Sequence, residues 1–174
     1  MIDKRLLEDF EFRYIHPDEA EQAAAIEKIC FSPDEACSGE AIAERVLKVP
    51  DLFLTAVDLK SGRMAGFLSG IRTMETSFRD EFFSDADLHD PDGVNVMLVG
   101  LAVLPVYRGR GLGSTLMSKF LLDVCAGQKR RGFAILTCDD SKVSMYEKMG
   151  FTDHGLSGSV WGGKAWHEMS RMTH

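Results

Sequence analysis

Val103-Leu104-Pro105-Val106-Tyr107-Arg108-Gly109-Arg110-Gly111-Leu112-Gly113-Ser114 is the stretch on which the reading of this chain turns. A nearly continuous apolar run, Val94 to Leu104, has the character of a buried strand and ends inside it. Three glycines follow at alternate positions. An amphipathic helical pattern then begins at Gly113 and carries Leu116, Met117, Phe120, Leu121 and Val124. Glycine lets the backbone approach a ligand closely and adopt positive φ. The start of a helix offers unpaired N–H groups and the positive end of its dipole, which together suit a phosphate or diphosphate. Arg108 and Arg110 add positive charge, and Ser114 adds a hydroxyl. The stretch therefore predicts a diphosphate cradle between a strand and a helix.

Two other glycine motifs fail on spacing. A P-loop needs Gly-Lys-Ser/Thr after the glycines, and none follows here. A dinucleotide fingerprint needs GxGxxG and an acidic residue about 20 positions further on. The glycines here run GxGxG, and the next strand pattern ends late, at Thr137-Cys138-Asp139. A glycine-rich turn with no ligand is the remaining alternative.

Outward from this turn, strand and helix patterns alternate. Phe10 to Ile15 alternates apolar and polar, as a half-buried strand does. Pro17, Asp18, Glu19 and Glu21 suit a first helical turn, with Ala23, Ile26, Ile29 and Cys30 as its apolar stripe. After a break from Phe31 to Gly39, Ser38 can cap a second helix carrying Ile42, Val46 and Leu47, and Pro50 ends it. Leu52 to Asp58 and Met64 to Ile71 read as a hairpin around Ser61-Gly62. Residues 74 to 93 form a long irregular loop with an apolar patch at Phe78, Phe82 and Phe83; loops of that length are usually functional or mobile. After the helix from Gly113 to Lys129 come a strand at Phe133 to Thr137 and a short helix from Ser141 to Met149, stopped by Gly150. Phe151 to His154 and Lys164 to Met172 read as closing strands. About seven strands and four helices, with no repeat and no linker, predict one mixed α/β domain over residues 1–174.

Composition narrows the function classes. The 174 residues are 45% hydrophobic and 27% charged, ordinary for a globular chain. The net charge of -7 argues against a nucleic-acid surface and favours cationic substrates slightly. No apolar stretch reaches the length of a bilayer span and the N-terminus has no apolar signal core, so a cytoplasmic protein is expected. Cys30, Cys37, Cys125 and Cys138 lack CxxC spacing and read as reduced. His16, His89, His154, His167 and His174 have no metal-ligand spacing, so no metal is expected.

On Arg108, Gly111 and Gly113 the chain resembles the GCN5-related N-acetyltransferase (GNAT) superfamily, whose hallmark is Arg/Gln-x-x-Gly-x-Gly/Ala between a strand and a helix. A second family motif is matched by Tyr146-Glu147-Lys148-Met149-Gly150-Phe151. The resemblance runs from about Phe10 to Met169 and is strongest from Leu101 to Phe151. It implies a splayed central sheet with the pantetheine of acetyl-CoA entering where two parallel strands diverge. Leu101, Ala102 and Val103 would then meet the coenzyme along the strand, with Thr137 on the strand opposite. Arg108, Gly109, Arg110, Gly111, Leu112, Gly113 and Ser114 would hold the diphosphate.

Within the superfamily the chain is similar to the arylalkylamine N-acetyltransferases at Cys37, Leu101-Ala102-Val103, Leu136-x-Cys138 and Val143-x-x-Tyr146-Glu147-Lys148. Those enzymes carry two histidines where this chain has Met97 and Val99, and a proline where it has Ser38. Neither Met97 nor Val99 can move a proton. The resemblance implies Tyr146 as the acid that protonates the departing thiolate, since a phenol stays protonated at neutral pH. Glu35 is the candidate base; His167, His89 and water-mediated deprotonation are alternatives. Phe31 and Trp166 fall on positions that line an aromatic amine slot. The expected reaction is acetyl transfer from acetyl-CoA to a primary amine of a small molecule, an arylalkylamine or a polyamine, by a monomer or homodimer. Acetylation of a protein N-terminus or lysine, and a non-catalytic acyl-CoA sensor, are the alternatives.

Overall fold

The computed structural model describes residues 2–173. Seven strands form one sheet: β1 (Phe10–Tyr14), β2 (Phe53–Asp58), β3 (Met64–Thr73), β4 (Asn95–Val103), β5 (Phe133–Cys138), β6 (Thr152–Leu156) and β7 (His167–Met172), in the order β1-β2-β3-β4-β5-β7-β6. The helices are α1 (Leu6–Asp9), α2 (Ala20–Cys30), α3 (Gly39–Lys48), α4 (Leu112–Gly127) and α5 (Val143–Lys148). All but α1 stand where the sequence places them. A single turn such as α1 is too short to show helical periodicity; it seats Leu6 in the core beside Phe10 and Leu112.

Every strand pair is antiparallel except β4–β5. That parallel pair is registered only at Val96↔Ala134 and Met97↔Ile135. Beyond it β4 follows β3 to Gly66↔Val103, while β5 follows β7 to Cys138↔His167. The sheet therefore opens into a wedge between Leu98–Val103 and Leu136–Cys138. A bulge lies at its apex: Ser69 pairs with Gly100 and Gly70 with Leu98, so Val99 is the extra residue of β4. An extra residue on one strand bends it and breaks the ladder, here at the point where the strands part.

Alternation along the strands divides the core. Leu116, Phe120 and Val124 of α4 pack on Leu54, Leu68 and Val96 on one face. On the other, Ile26 of α2 and Ile42 and Val46 of α3 pack with Phe53, Phe67 and Ala102. The connection between β3 and β4 is more ordered than its irregular sequence implies. It winds through two 3-10 turns, Asp80–Phe83 and Ala86–Leu88, and seats Phe78 and Phe82 on Ile71, Met97, Val99 and Ile135. Those aromatics convert a long loop into a fixed wall.

Two helical stripes differ from expectation. Ile29 and Leu47 are exposed, at 61% and 76%. Glu27 and Arg45 are buried in their place, at 3% and 2%. Ala23, Ile26 and Glu27 share one face of α2, and Ile42, Arg45 and Val46 share one face of α3, each at i, i+3, i+4 spacing. Ser38 caps α3 as expected, accepting from the Ala41 N–H at 3.1 Å.

Candidate active site

The wedge holds two adjoining cavities. The outer one, about 580 Å³, runs beside α4 and is lined by Ala102, Val103, Arg108, Gly111, Gly113 and Ser114 from one side and by Cys138 and Asp139 from the other. Gly111 precedes α4 with φ +87°, in the left-handed region, and offers no side-chain cap. The first intrahelical bond there is from the Thr115 N–H to the Gly111 carbonyl, at 3.0 Å. The N–H groups of Leu112, Gly113 and Ser114 come before it and point where an anion would lie. A channel of this length ending on an uncapped helix start fits an extended pantetheine with a diphosphate at its mouth.

The inner cavity is a compact chamber of about 90 Å³. Its walls include Leu98, Val99 and Gly100 of β4, Phe83, Trp161 and the buried Glu27. The two cavities share Phe31, Glu35, Leu101, Thr137, Tyr146 and Trp166, so Tyr146 stands at their junction. A tied roof closes the chamber. Trp161 Nε1 donates to the Glu35 carbonyl and Trp166 Nε1 to the Trp161 carbonyl, both at 2.7 Å. Phe83 stacks on Trp161 at 4.7 Å, Lys164 forms an ion pair with Glu35, and Ser159 bonds to Asp80.

Glu27 is the unusual group. Its Oε1 accepts from the Cys37 N–H at 3.0 Å, while Oε2 has no hydrogen-bond partner among the described residues. Burial pushes its carboxyl above the usual range, against the opposing Cys37 N–H and the charge of Arg45. A buried carboxylate oxygen left open toward a chamber is costly unless something cationic or protic meets it. Burial also pushes the Tyr146 phenol up, with the Cys138 thiol and Asp139 adding to the effect. Tyr146 is therefore held neutral, its ring edge-on to Phe151 at 5.9 Å.

Of the residues expected from sequence, Leu101, Ala102, Val103, Arg108, Gly109, Gly111, Leu112, Gly113, Ser114, Thr137 and Tyr146 all line the channel. Arg108 also donates from Nε to the Val103 carbonyl at 2.8 Å. Arg110 is not brought there. It pairs with Asp9 at 2.9 Å and lies over the Phe10 ring at 4.9 Å, drawn away by the acidic end of α1. Phe31, Trp166 and Glu35 stand at the junction, with the Glu35 carboxylate engaged by Lys164. His89 accepts the Arg72 N–H at Nδ1, and His167 sits between Asp153 and Asp140; neither lines the cavities. Sequence reasoning missed Glu27, Phe83 and Trp161. The signal for Glu27 was a charged residue one turn from Ala23 and Cys30 of the apolar stripe of α2, and for Phe83 its place in the apolar patch of the long loop; Trp161 had none beyond being aromatic.

A splayed parallel pair with a glycine cradle at a helix start is the arrangement that the resemblance to acyl-coenzyme A-dependent transferases leads one to expect. Comparison with known proteins agrees. Residues 52–153 match the acetyltransferase (GNAT) domain model. The serotonin N-acetyltransferase of Mesocricetus auratus is 31% identical over 144 residues, 81% of this chain and 67% of that protein. Among solved structures, the loading GNATL domain of CurA from Lyngbya majuscula superposes with a TM-score of 0.76 at 17% identity, covering 94% of this chain and 98% of that one. Arabidopsis thaliana Naa50, solved with the bisubstrate analogue CoA-Ac-MVNAL, gives 0.70 at 15% identity over 94% and 98%. The chain belongs to the GNAT acetyltransferase family. It is an N-acetyltransferase, with acetyl-CoA as the acetyl donor. Among the described residues no helix is long and apolar enough to cross a membrane.

Proposed function

We propose that this chain, acting as one N-acetyltransferase domain, acetylates the primary amine of a small molecule bound in the chamber behind Tyr146. The observation that carries the reading is Glu27 Oε2, buried, unpartnered and facing a chamber that adjoins the donor channel. An alkyl amine arrives as an ammonium. Glu27 attracts it, and a carboxylate whose proton affinity is raised by burial is well matched to take its proton. Phe31, Phe83, Trp161 and Trp166 give the rest of the amine an apolar, aromatic surround that also favours a cation.

When bound, acetyl-CoA supplies an acetyl group already activated as a thioester. The Leu112, Gly113 and Ser114 N–H groups and Arg108 would hold the diphosphate end, while Leu101 to Val103 of β4 and Thr137 of β5 would flank the pantetheine. The neutral amine forms the new C–N bond as the C–S bond breaks. Tyr146 Oη gives its proton to the leaving sulfur and is restored by the second proton that the nitrogen sheds as it becomes the amide, while Glu27 Oε2 holds the proton taken from the ammonium until it passes to solvent. The tied roof favours a compact acceptor over a peptide, because a chain would have to part the Glu35–Lys164 and Trp161 contacts to enter.

The test is thiol release from acetyl-CoA with tryptamine, phenethylamine, spermidine and two peptides, one offering its N-terminus and one a lysine. Turnover is expected with small amines, and Glu27→Gln should lower kcat/KM by about 10³-fold. Turnover confined to the peptides, or a Glu27→Gln enzyme as active as wild type, overturns the reading.

A further inference from the structure

Arg45 is a buried guanidinium with no ion pair of its own among the described residues. It lies on α3 at 2% exposure, donating from Nη1 to Ser69 Oγ at 2.9 Å and from Nη2 to the Phe83 carbonyl at 3.3 Å. Neither acceptor carries charge, and a buried cation is expensive without a compensating anion. The geometry leads to one. Ser69 is the register partner of Gly100 in β4. A Cβ on Gly100 would lie 3.7 Å from Ser69 Oγ and 3.8 Å from Glu27 Oε2. Arg45 thus reaches the chamber wall through one hydroxyl, which faces Gly100 as the open oxygen of Glu27 does, and its other arm holds the residue that stacks on Trp161.

We infer that Arg45 is a positioning residue for acetyl transfer: its buried charge favours the ionised form of Glu27, and its bond to Phe83 sets the aromatic wall. The inference rests on Glu27 as the proton acceptor. The other groups around Glu27 do not share its charge change. Cys37 supplies an N–H, and burial pushes its thiol up to about 11. Cys30, one turn along α2, is pushed up by burial as well. Tyr146 stays neutral for the same reason, and Glu35 is paired with Lys164. Arg45 is the cation left to oppose the desolvation of Glu27.

The experiment follows the Glu27 carboxyl by NMR in the full chain labelled with 13C-glutamate, across pH, with Glu27→Gln to assign the signal. Arg45→Gln keeps donors for Ser69 and Phe83 without the charge, and should move the Glu27 midpoint upward by about one pH unit. Arg45→Lys should restore it. The acid limb of kcat/KM for the amine found active should move with the carboxyl. If Arg45→Gln does not fold, Arg45→Met, which fills the space with an apolar chain, is read the same way. A folded neutral variant whose Glu27 midpoint stays at the wild-type pH overturns the inference. Failure of the Glu27 reading shows separately, as full turnover and an unchanged pH profile in Glu27→Gln.

Discussion

The donor channel and the acceptor chamber meet at Tyr146 but are assembled from different materials. The channel takes nearly half of its lining from one continuous stretch, Leu101 to Ser114, whose three lining glycines, Gly109, Gly111 and Gly113, have only main chain to present. The chamber gathers Glu27 from α2, Phe31 beyond it, Phe83 from the turn after β3, and Trp161 and Trp166 from the connection between β6 and β7. Backbone N–H groups are supplied whatever the side chains are, so the channel depends on conformation. The chamber depends on which side chains meet, and on their charge.

If this contrast holds, replacing a side chain at the junction should damage chemistry while leaving coenzyme binding intact. Tyr146→Phe keeps the ring contact with Phe151 and removes one proton. Its kcat is expected to fall about 10²-fold, with KM for acetyl-CoA little changed. Steady-state kinetics decide this, and an unchanged kcat would remove Tyr146 from the role of acid.

The channel should fail in the opposite way. At Gly111 an added Cβ would have room, its nearest neighbour being Leu6 Cδ1 at 3.8 Å, yet φ of +87° is strained for any L side chain. Gly111→Ala should cost about 1–2 kcal/mol of local conformation. That corresponds to roughly a tenfold rise in KM for acetyl-CoA, with kcat at saturation close to wild type. A fall in kcat alone would erase the distinction between the two regions.

The smallest effect concerns the scaffold that carries Tyr146. His167 on β7 meets both Asp153 oxygens at 3.0 Å and Asp140, just before α5, at 3.2 Å. The hydrogen bond to Asp153 raises the His167 imidazole above its ordinary value, helped by the charges of both aspartates, while the Gly155 N–H and then His167 lower Asp153. A raised folded-state value gives stability that is fully present below the unfolded value near 6.5 and is lost as pH rises through the folded one. Asp153 removes its share only as pH falls through its own lowered value. Thermal unfolding should therefore show His167→Asn destabilised at pH 6 and nearly level with wild type at pH 9. An equal offset at both would mean that His167 serves by packing alone.

Much of the channel was legible because its signals are local. A strand, alternate glycines and an amphipathic helix lie within one stretch, and each constrains the conformation of its own backbone. Arg110 shows the limit even there: its neighbours in sequence point it at a diphosphate, but Asp9 and Phe10 from the far end of the chain hold it elsewhere. The chamber was less legible because nothing in the local sequence says that α2 and the turn after β3 face one another. Glu35 stood in the right segment, yet Lys164 is the partner the fold gives it. Glu27 and Arg45 lay outside the expected stripes, and only the packed helices show that their positions, i+4 from Ala23 and i+3 from Ile42, face inward.

By itself the sequence determined the order of the elements, the glycine cradle and the tyrosine after it, since periodicity and positive-φ glycines act over neighbouring residues. Tertiary structure decided that β4 and β5 part after two paired positions, and that Glu27 Oε2 lies behind them with no hydrogen-bond partner among the described residues. The physical reason is that burial belongs to the packed molecule: a carboxylate keeps its ordinary character until the helices and sheet around it exclude water.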